Sequence, residues 1–358
     1  MVKILHAADF HLDSAFSALT EEQARQRRCE SRALVERLVD YANDHGAQLM
    51  LLAGDLFDSD HIYSQTGEEL SAALGRFSGD VVIAPGNHDY YSLRSAYARI
   101  LWPENVHIFT SGEMQSISFP QYGCTVYGAA FTNDEAQPWH GFRAKPGDIA
   151  IGVLHGEVGG AHSKYRAIDP QEIAGSGLRY LALGHVHQSC EVQWADQTAW
   201  AYSGCLEGHG FDELGEKGFL FGEVDRDDVH LRMVPFSGRR YEILEVDVTD
   251  LPPMDAVLRR LPLQTENDIY RIQLRGEVAQ SIDISALQEA LASRFYVLEI
   301  RDKTSVAQDV WARQGDQTLR GLFLRQMRQK YDAAVTDEER VQVEQAVRFG
   351  LHAMDDRE

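Results

Sequence analysis

Five short clusters in this sequence carry side chains suited to metal and phosphate chemistry. They are Asp9-Phe10-His11, Gly54-Asp55, Gly86-Asn87-His88-Asp89, His155-Gly156 and Gly184-His185-Val186-His187. Each follows an apolar run of strand type, at residues 3–8, 49–53, 81–84, 149–154 and 180–183. In D-x-H and H-x-H, residues two apart point the same way from an extended backbone, so both members can reach one site. The glycines at 54, 86, 156 and 184 let the backbone turn sharply and come close to a ligand. One such cluster is compatible with an ordinary turn or a structural histidine. Five in order, all at strand ends, point to one site built on the carboxyl edge of a sheet. The donors are oxygen and nitrogen without cysteine, which disfavours a thiolate zinc site. Imidazole with carboxylate suits manganese, iron or zinc equally.

Those strand ends need a scaffold. Apolar strand runs at 3–8, 49–53 and 81–84 alternate with helical patterns at 25–45 and 68–77, an order that predicts a largely parallel sheet with helices on its face. Beyond residue 106 the strand patterns at 106–109, 115–119, 125–129, 149–154, 180–183, 199–202, 219–224 and 229–234 have few helices between them, which predicts a second, mixed sheet. The expected architecture is α/β: a four-layer α-β-β-α sandwich of two mixed sheets.

A boundary falls near Ser237-Gly238-Arg239-Arg240, closing a main domain at 1–238. Residues 239–303 read as a small α+β unit and 304–358 as a helical segment. In the latter, Leu319, Leu322, Phe323 and Met327 form an apolar stripe among Arg320, Arg325, Arg328 and Lys330. Thr336 and Glu339 have capping-box spacing and open a last helix carrying Val343, Ala346, Val347 and Leu351.

The chain of 358 residues is long enough for a substantial core. Its start runs through one lysine into a strand pattern, which reads as no cleavable signal. No apolar stretch approaches the roughly 20 residues that span a bilayer, so no membrane partner is expected. Four scattered cysteines fit reduced thiols in the cytoplasm. A net charge of -21 lacks the basic face of a free-standing nucleic-acid binder. A nucleic-acid substrate must therefore be held by a local patch, by metals or by a partner.

In order and type the five clusters resemble the calcineurin-like metallophosphoesterases over roughly residues 1–235. Within that superfamily the chain is similar to the SbcD-type nuclease subunits of double-strand-break repair. Residues 8–13 (ADFHLD), 54–58 (GDLFD) and 85–89 (PGNHD), with the appended α+β unit and helices, carry this likeness. The resemblance implies two divalent metal ions, manganese first, with iron or zinc as alternatives. Asp9, His11 and His187 would hold one, Asn87, His155 and His185 the other, and Asp55 would bridge them. His88 would contact the scissile phosphate without binding metal, and Asp89 would orient His88. Two cations about 3.5–4 Å apart lower the pKa of a shared water and stabilise charge on the phosphoryl oxygens. A protonated His88 could stabilise that charge or protonate the leaving oxygen.

The implied activity is that of a DNA nuclease of repair, 3′-to-5′ exonuclease with single-strand endonuclease, in which 239–303 is a capping domain and 304–358 a docking segment for an SMC-type, SbcC-like ATPase. A homodimer is a further family expectation. A small-molecule phosphodiesterase or protein phosphatase on the same core is the enzyme alternative, and a metal-containing scaffold subunit of an ATPase complex the non-enzyme one.

Other residues carry weaker signals. His6 reads as a packed strand histidine. Asp13 and Asp58 fit a layer behind the ligands or solvated loops equally. His61, His162 and His209 read as surface-loop residues that could line a groove. The segment Tyr202-Ser203-Gly204-Cys205 could offer a backbone contact to phosphate. The basic residues from Arg320 to Lys330 fit DNA phosphates, an acidic partner or a solvated helix face.

Overall fold

A computed structural model describes residues 1–59, 62–136, 139–160, 163–278, 280–306 and 311–355. His61 and His162 lie outside the described residues. Two six-stranded sheets carry the main unit. The first runs, in spatial order, Val229–Pro235, Gly218–Val224, Val2–Ala7, Leu49–Leu52, Asp80–Ile83 and Val106–Ile108. The second runs Gln193–Ala195, Thr198–Tyr202, Tyr180–Gly184, Ile149–His155, Cys124–Gly128 and Gln115–Phe119. Each has four strands in parallel pairing and is closed by antiparallel neighbours. Both sheets are mixed, as expected.

Three strands change sheets relative to expectation. Val106–Ile108 pairs in parallel with Asp80–Ile83, and Gly218–Val224 with Val229–Pro235 extends the first sheet beyond Val2–Ala7. Local pattern identifies a strand; its sheet depends on which partner it pairs with, and for Gly218–Val224 that partner lies over two hundred positions away.

The layers follow from a period of two. Ile4, Leu49, Leu51 and Val82 point between the sheets and meet Val126, Ile151, Val153, Tyr180 and Ala201 of the other sheet. Their neighbours Leu5, Met50, Leu52, Val81 and Ile83 point outward and bury Leu34, Val35, Leu38, Leu70 and Leu74 of helices Glu21–Asp44 and Ser64–Gly75. On the far face of the second sheet, Leu154, Leu181 and Leu183 pack with Trp139, Ile173 and Leu178. The helix supplied there, Pro170–Gly175, has only 6 residues, so that outer layer is thin. Helix Glu21–Asp44 starts earlier than its apolar periodicity suggests, because Thr20 and Gln23 form a capping box.

The chain divides into two compact units: 1–243 with 262–271 and 291–299, and 244–261 with 272–290 and 300–358. Strands Tyr241–Asp247, Ile269–Arg275 and Val297–Asp302 form a small sheet in that order, each lying partly in one unit and partly in the other. In the second unit, helices Leu319–Ala333 and Asp337–Asp355 share a cluster of Trp311, Leu324, Val347 and Leu351. Half of the expected stripe holds: Phe323 and Met327 pack against this cluster beside the buried Leu324, whereas Leu319 and Leu322 are exposed. Arg325 donates to the carbonyls of Gln314 and Asp316, and Arg328 bonds Asp332. The capping box holds, with Glu339 N donating to Thr336 Oγ1 and Thr336 N to Glu339 Oε2, both at 3.2 Å. Among the described residues no helix is long and apolar enough to cross a membrane.

Candidate metal centre

The five clusters meet at one end of the two sheets. Asp9, His11, Asp55 and His185 have left-handed backbones, with φ of 53°, 43°, 50° and 96°. Such angles cost energy in residues with a Cβ and persist where neighbours over-determine them. Here rungs between the first two loops fix the Asp9, His11 and Asp55 turns: Asp9 N to Gly54 O and His11 N to Asp55 O, both 3.0 Å, then Leu12 N to Leu56 O at 2.9 Å. Close approach also explains Gly86, where a Cβ would stand 2.1 Å from Asp55 Oδ1.

Four groups of donor atoms lie within 4.8 Å of one another among the described residues: two share Asp9 (Asp9, His11 and His187; Asp9, Asp55 and His155), and the others are His11, Asp58 and His88, and His187, Cys205 and Glu213. Asp55 Oδ2 is 3.2 Å from His155 Nε2 and 3.9 Å from His11 Nε2, so this carboxylate stands between members of the two groups that share Asp9. Asn87 Oδ1 lies 3.0 Å from His155 Nε2. His185 is held differently. Its amide donates to both Asp9 oxygens, at 3.1 and 3.2 Å, and its ring packs 5.2 Å from that of His155, but its ring joins none of these groups.

The imidazole partners decide which nitrogens face the centre. His11 Nδ1 lies 3.2 Å from Asp58 Oδ1, His155 Nδ1 2.8 Å from Ala53 O, and His187 Nδ1 bonds Glu213 Oε1. All three partners accept, so each Nδ1 donates outward and each Nε2 is turned inward. His11 Nε2 and His187 Nε2 then face each other at 3.1 Å. His155 Nε2 faces two oxygens, of Asp55 and Asn87. Nitrogens and carboxylate oxygens packed this closely need positive charge among them, from a proton or a metal, and the mixed nitrogen and oxygen set fits divalent cations. The same carboxylates draw positive charge toward the imidazoles. Burial opposes a charge on His155, yet Asp55 and Asp9 push its pKa up to about 9. Burial also works against Asp55, but His155 and His11 hold its carboxyl below the usual range, while burial raises Asp9. Burial and the nearby His155 pull His185 down to about 4.

His88 sits at the mouth, exposed. Its amide donates to Asp55 Oδ1 at 2.9 Å, and its Nδ1 lies 3.0 Å from Asp58 O, which leaves Nε2 toward solvent. Asp89 does not orient it. The Asp89 carboxylate is buried and accepts from Leu56 N, Phe57 N, Gly86 N and Tyr97 Oη. It ties the Asp55 loop to the Gly86 turn because those amides have no strand to bond to at a strand end.

The weaker signals separate. His6 is a core histidine, with Nε2 donating to Leu183 O and Nδ1 accepting from Tyr180 Oη at 2.8 Å, and burial lowers its pKa to about 3. Asp58 backs His11, whereas Asp13 accepts from Tyr63 N and Thr66 Oγ1 at the start of helix Ser64–Gly75. The Cys205 amide donates to His187 O, so this segment braces the last histidine loop. His209 is no surface residue: its ring stands 5.7 Å from that of His11, and its Nδ1 is 3.1 Å from Glu213 Oε2.

Glu213 is the residue that sequence reasoning missed. It holds both His187 and His209, and these contacts keep its carboxyl below the usual range although burial opposes this. It lies in a loop with no strand pattern, so nothing local marks it.

The fold and the two donor groups that share Asp9 define a metal-dependent phosphoesterase. The model of the calcineurin-like phosphoesterase family matches residues 2–189, and the chain belongs to that family. It is 31% identical to the "uncharacterized metallophosphoesterase YhaO" of Bacillus subtilis, over 76% of this chain and 68% of that protein. It is 25% identical to the SbcD component of nuclease SbcCD of Bacillus subtilis, over 60% of this chain. It is also 25% identical to the DNA double-strand break repair protein Mre11 of Aeropyrum pernix, over 70% of this chain. The chain spans 64% of the length of each of these last two.

Proposed function

We propose that the protein is a two-metal DNA nuclease of repair, with 3′-to-5′ exonuclease and single-strand endonuclease activity, that residues 239–303 serve as a capping domain and that residues 304–358 dock an SMC-type ATPase. The observation that carries the phosphodiesterase chemistry is the convergence of inward-facing imidazole nitrogens and two buried carboxylates at the sheet ends. The names of the two 25%-identical relatives support DNA as substrate.

Asp9, His11 and His187 would hold one cation, and Asn87, His155 and His185 the other, with Asp55 shared. Manganese is the ion proposed. When bound, the pair supplies Lewis-acid stabilisation of phosphoryl charge and activation of water near neutral pH. The chain's own residues do the rest. Asp58, Glu213 and the Ala53 carbonyl fix the three imidazoles in the liganding tautomer. Asp89 locks two loops together so that Asp55 and His88 keep their spacing. The Asp58 carbonyl holds His88 with Nε2 outward, placed to meet a phosphate oxygen or hand a proton to the leaving oxygen.

The test uses purified protein with manganese, end-labelled linear DNA and bis-p-nitrophenyl phosphate. Degradation of both supports the nuclease; cleavage of the small diester alone, with or without an added ATPase partner, removes DNA as substrate.

A further inference from the structure

Arg166 lacks the partners that its burial demands. It is 4% exposed and has a left-handed backbone at φ 53°. A guanidinium has five N–H donors. Here Nη2 makes one good bond, to Ala130 O at 2.8 Å, and Nη1 a stretched one, to Gly112 O at 3.5 Å. Nε is buried with no partner among the described residues. Burial depresses its pKa to about 10, and Glu113 offsets this only in part. A buried charge so poorly matched is costly unless something else pairs with it.

Arg166 lines a cavity of about 420 Å³ together with Lys164, Ser163, Thr132 and Asn133. Those four offer an ammonium, two hydroxyls and an amide, the set that surrounds a phosphate. Glu113 and Glu135 also border it, but both are exposed, and Glu135 pairs with Lys164 at 3.8 Å. Solvent screens rim carboxylates far more than a buried guanidinium. The cavity adjoins the metal centre through packed rings. Arg166 lies over Phe131, 5.3 Å from its centroid, and Phe131 meets His155 edge-on at 5.6 Å. Tyr165, beside Arg166 in the chain, packs 4.8 Å from the His185 ring.

We propose that this cavity is a second anion site, which takes the phosphate adjacent to the scissile one in a polynucleotide. The proposal deepens the nuclease reading and rests on it for the identity of the substrate.

Calorimetry on the full chain with manganese compares thymidine 3′,5′-bisphosphate, thymidine 5′-phosphate and inorganic phosphate. The wild type binds the bisphosphate about tenfold tighter than the monophosphate, and Arg166→Gln removes that advantage. If Arg166→Gln fails to fold, Lys164→Gln at the exposed rim lowers the advantage by about threefold. Equal loss for both nucleotides, or no loss, overturns the site. Arg166-dependent binding of inorganic phosphate without a bisphosphate advantage overturns the assignment to a neighbouring phosphate. The two readings fail separately. If the wild type spares DNA while the bisphosphate advantage still needs Arg166, the nuclease falls alone. If DNA is degraded and Arg166→Gln keeps the advantage, the site falls alone.

Discussion

The first sheet sends Asp9, His11, Asp55 and Asn87 to the centre, mostly oxygen donors on left-handed turns cross-linked by backbone hydrogen bonds. The second sends His155, His185 and His187, imidazoles only. Carboxylates therefore come from one side only, and the other supplies imidazole nitrogen alone. The means of control differ accordingly. On the first sheet, turn geometry places the carboxylates. On the second, acceptors from outside that sheet set the protonation of two rings: Ala53 O of the first sheet's loop for His155 and Glu213 for His187. The site is thus a joint between two sheets, and neither holds it alone.

The largest expected effect comes from the first sheet. Asp55→Ala removes the carboxylate between the two donor groups that share Asp9; we expect activity to fall at least about 1000-fold and manganese stoichiometry to drop. Calorimetry showing unchanged stoichiometry would remove Asp55 from the bridging position. His88→Ala comes next, with a loss of about 100-fold or more in kcat and manganese binding retained. Parallel loss of metal and activity would instead make His88 a ligand.

The second sheet's control is tested through Glu213. Glu213→Gln should weaken manganese binding by about 10–100-fold, because the amide no longer selects the His187 tautomer. Asp58→Asn should do less, since the Asp58 side chain is 38% exposed against 10% for Glu213. The reverse order would mean that burial does not govern these contacts.

The smallest effect concerns the seam between the sheets. His6 is held neutral with a pKa lowered to about 3, so the unfolded chain binds the extra proton between its own pKa of about 6.5 and that value. Stability from His6 is full above about 6.5 and declines as pH falls, by about 1.4 kcal/mol per unit. Urea unfolding at several pH values should show a shallower acid loss for His6→Gln; identical slopes would mean that His6 is not buried neutral.

The donors and the order in which they occur can be read along the chain. Strand runs ending in Asp, Asn and His are local patterns, and the period of two that fills both faces of each strand is local as well. The turn that places Asp9 and His11 was legible as D-x-H, but its left-handed backbone was not. Which sheet the strands Val106–Ile108, Gly218–Val224 and Val229–Pro235 joined depended on the folded molecule, through the choice of pairing partner and, for Gly218–Val224, a partner over two hundred positions away. Folding also gave Asp89 to the loop amides and brought Glu213 to His187. A side chain's partner is set by where distant loops meet, and no spacing along the chain records that distance.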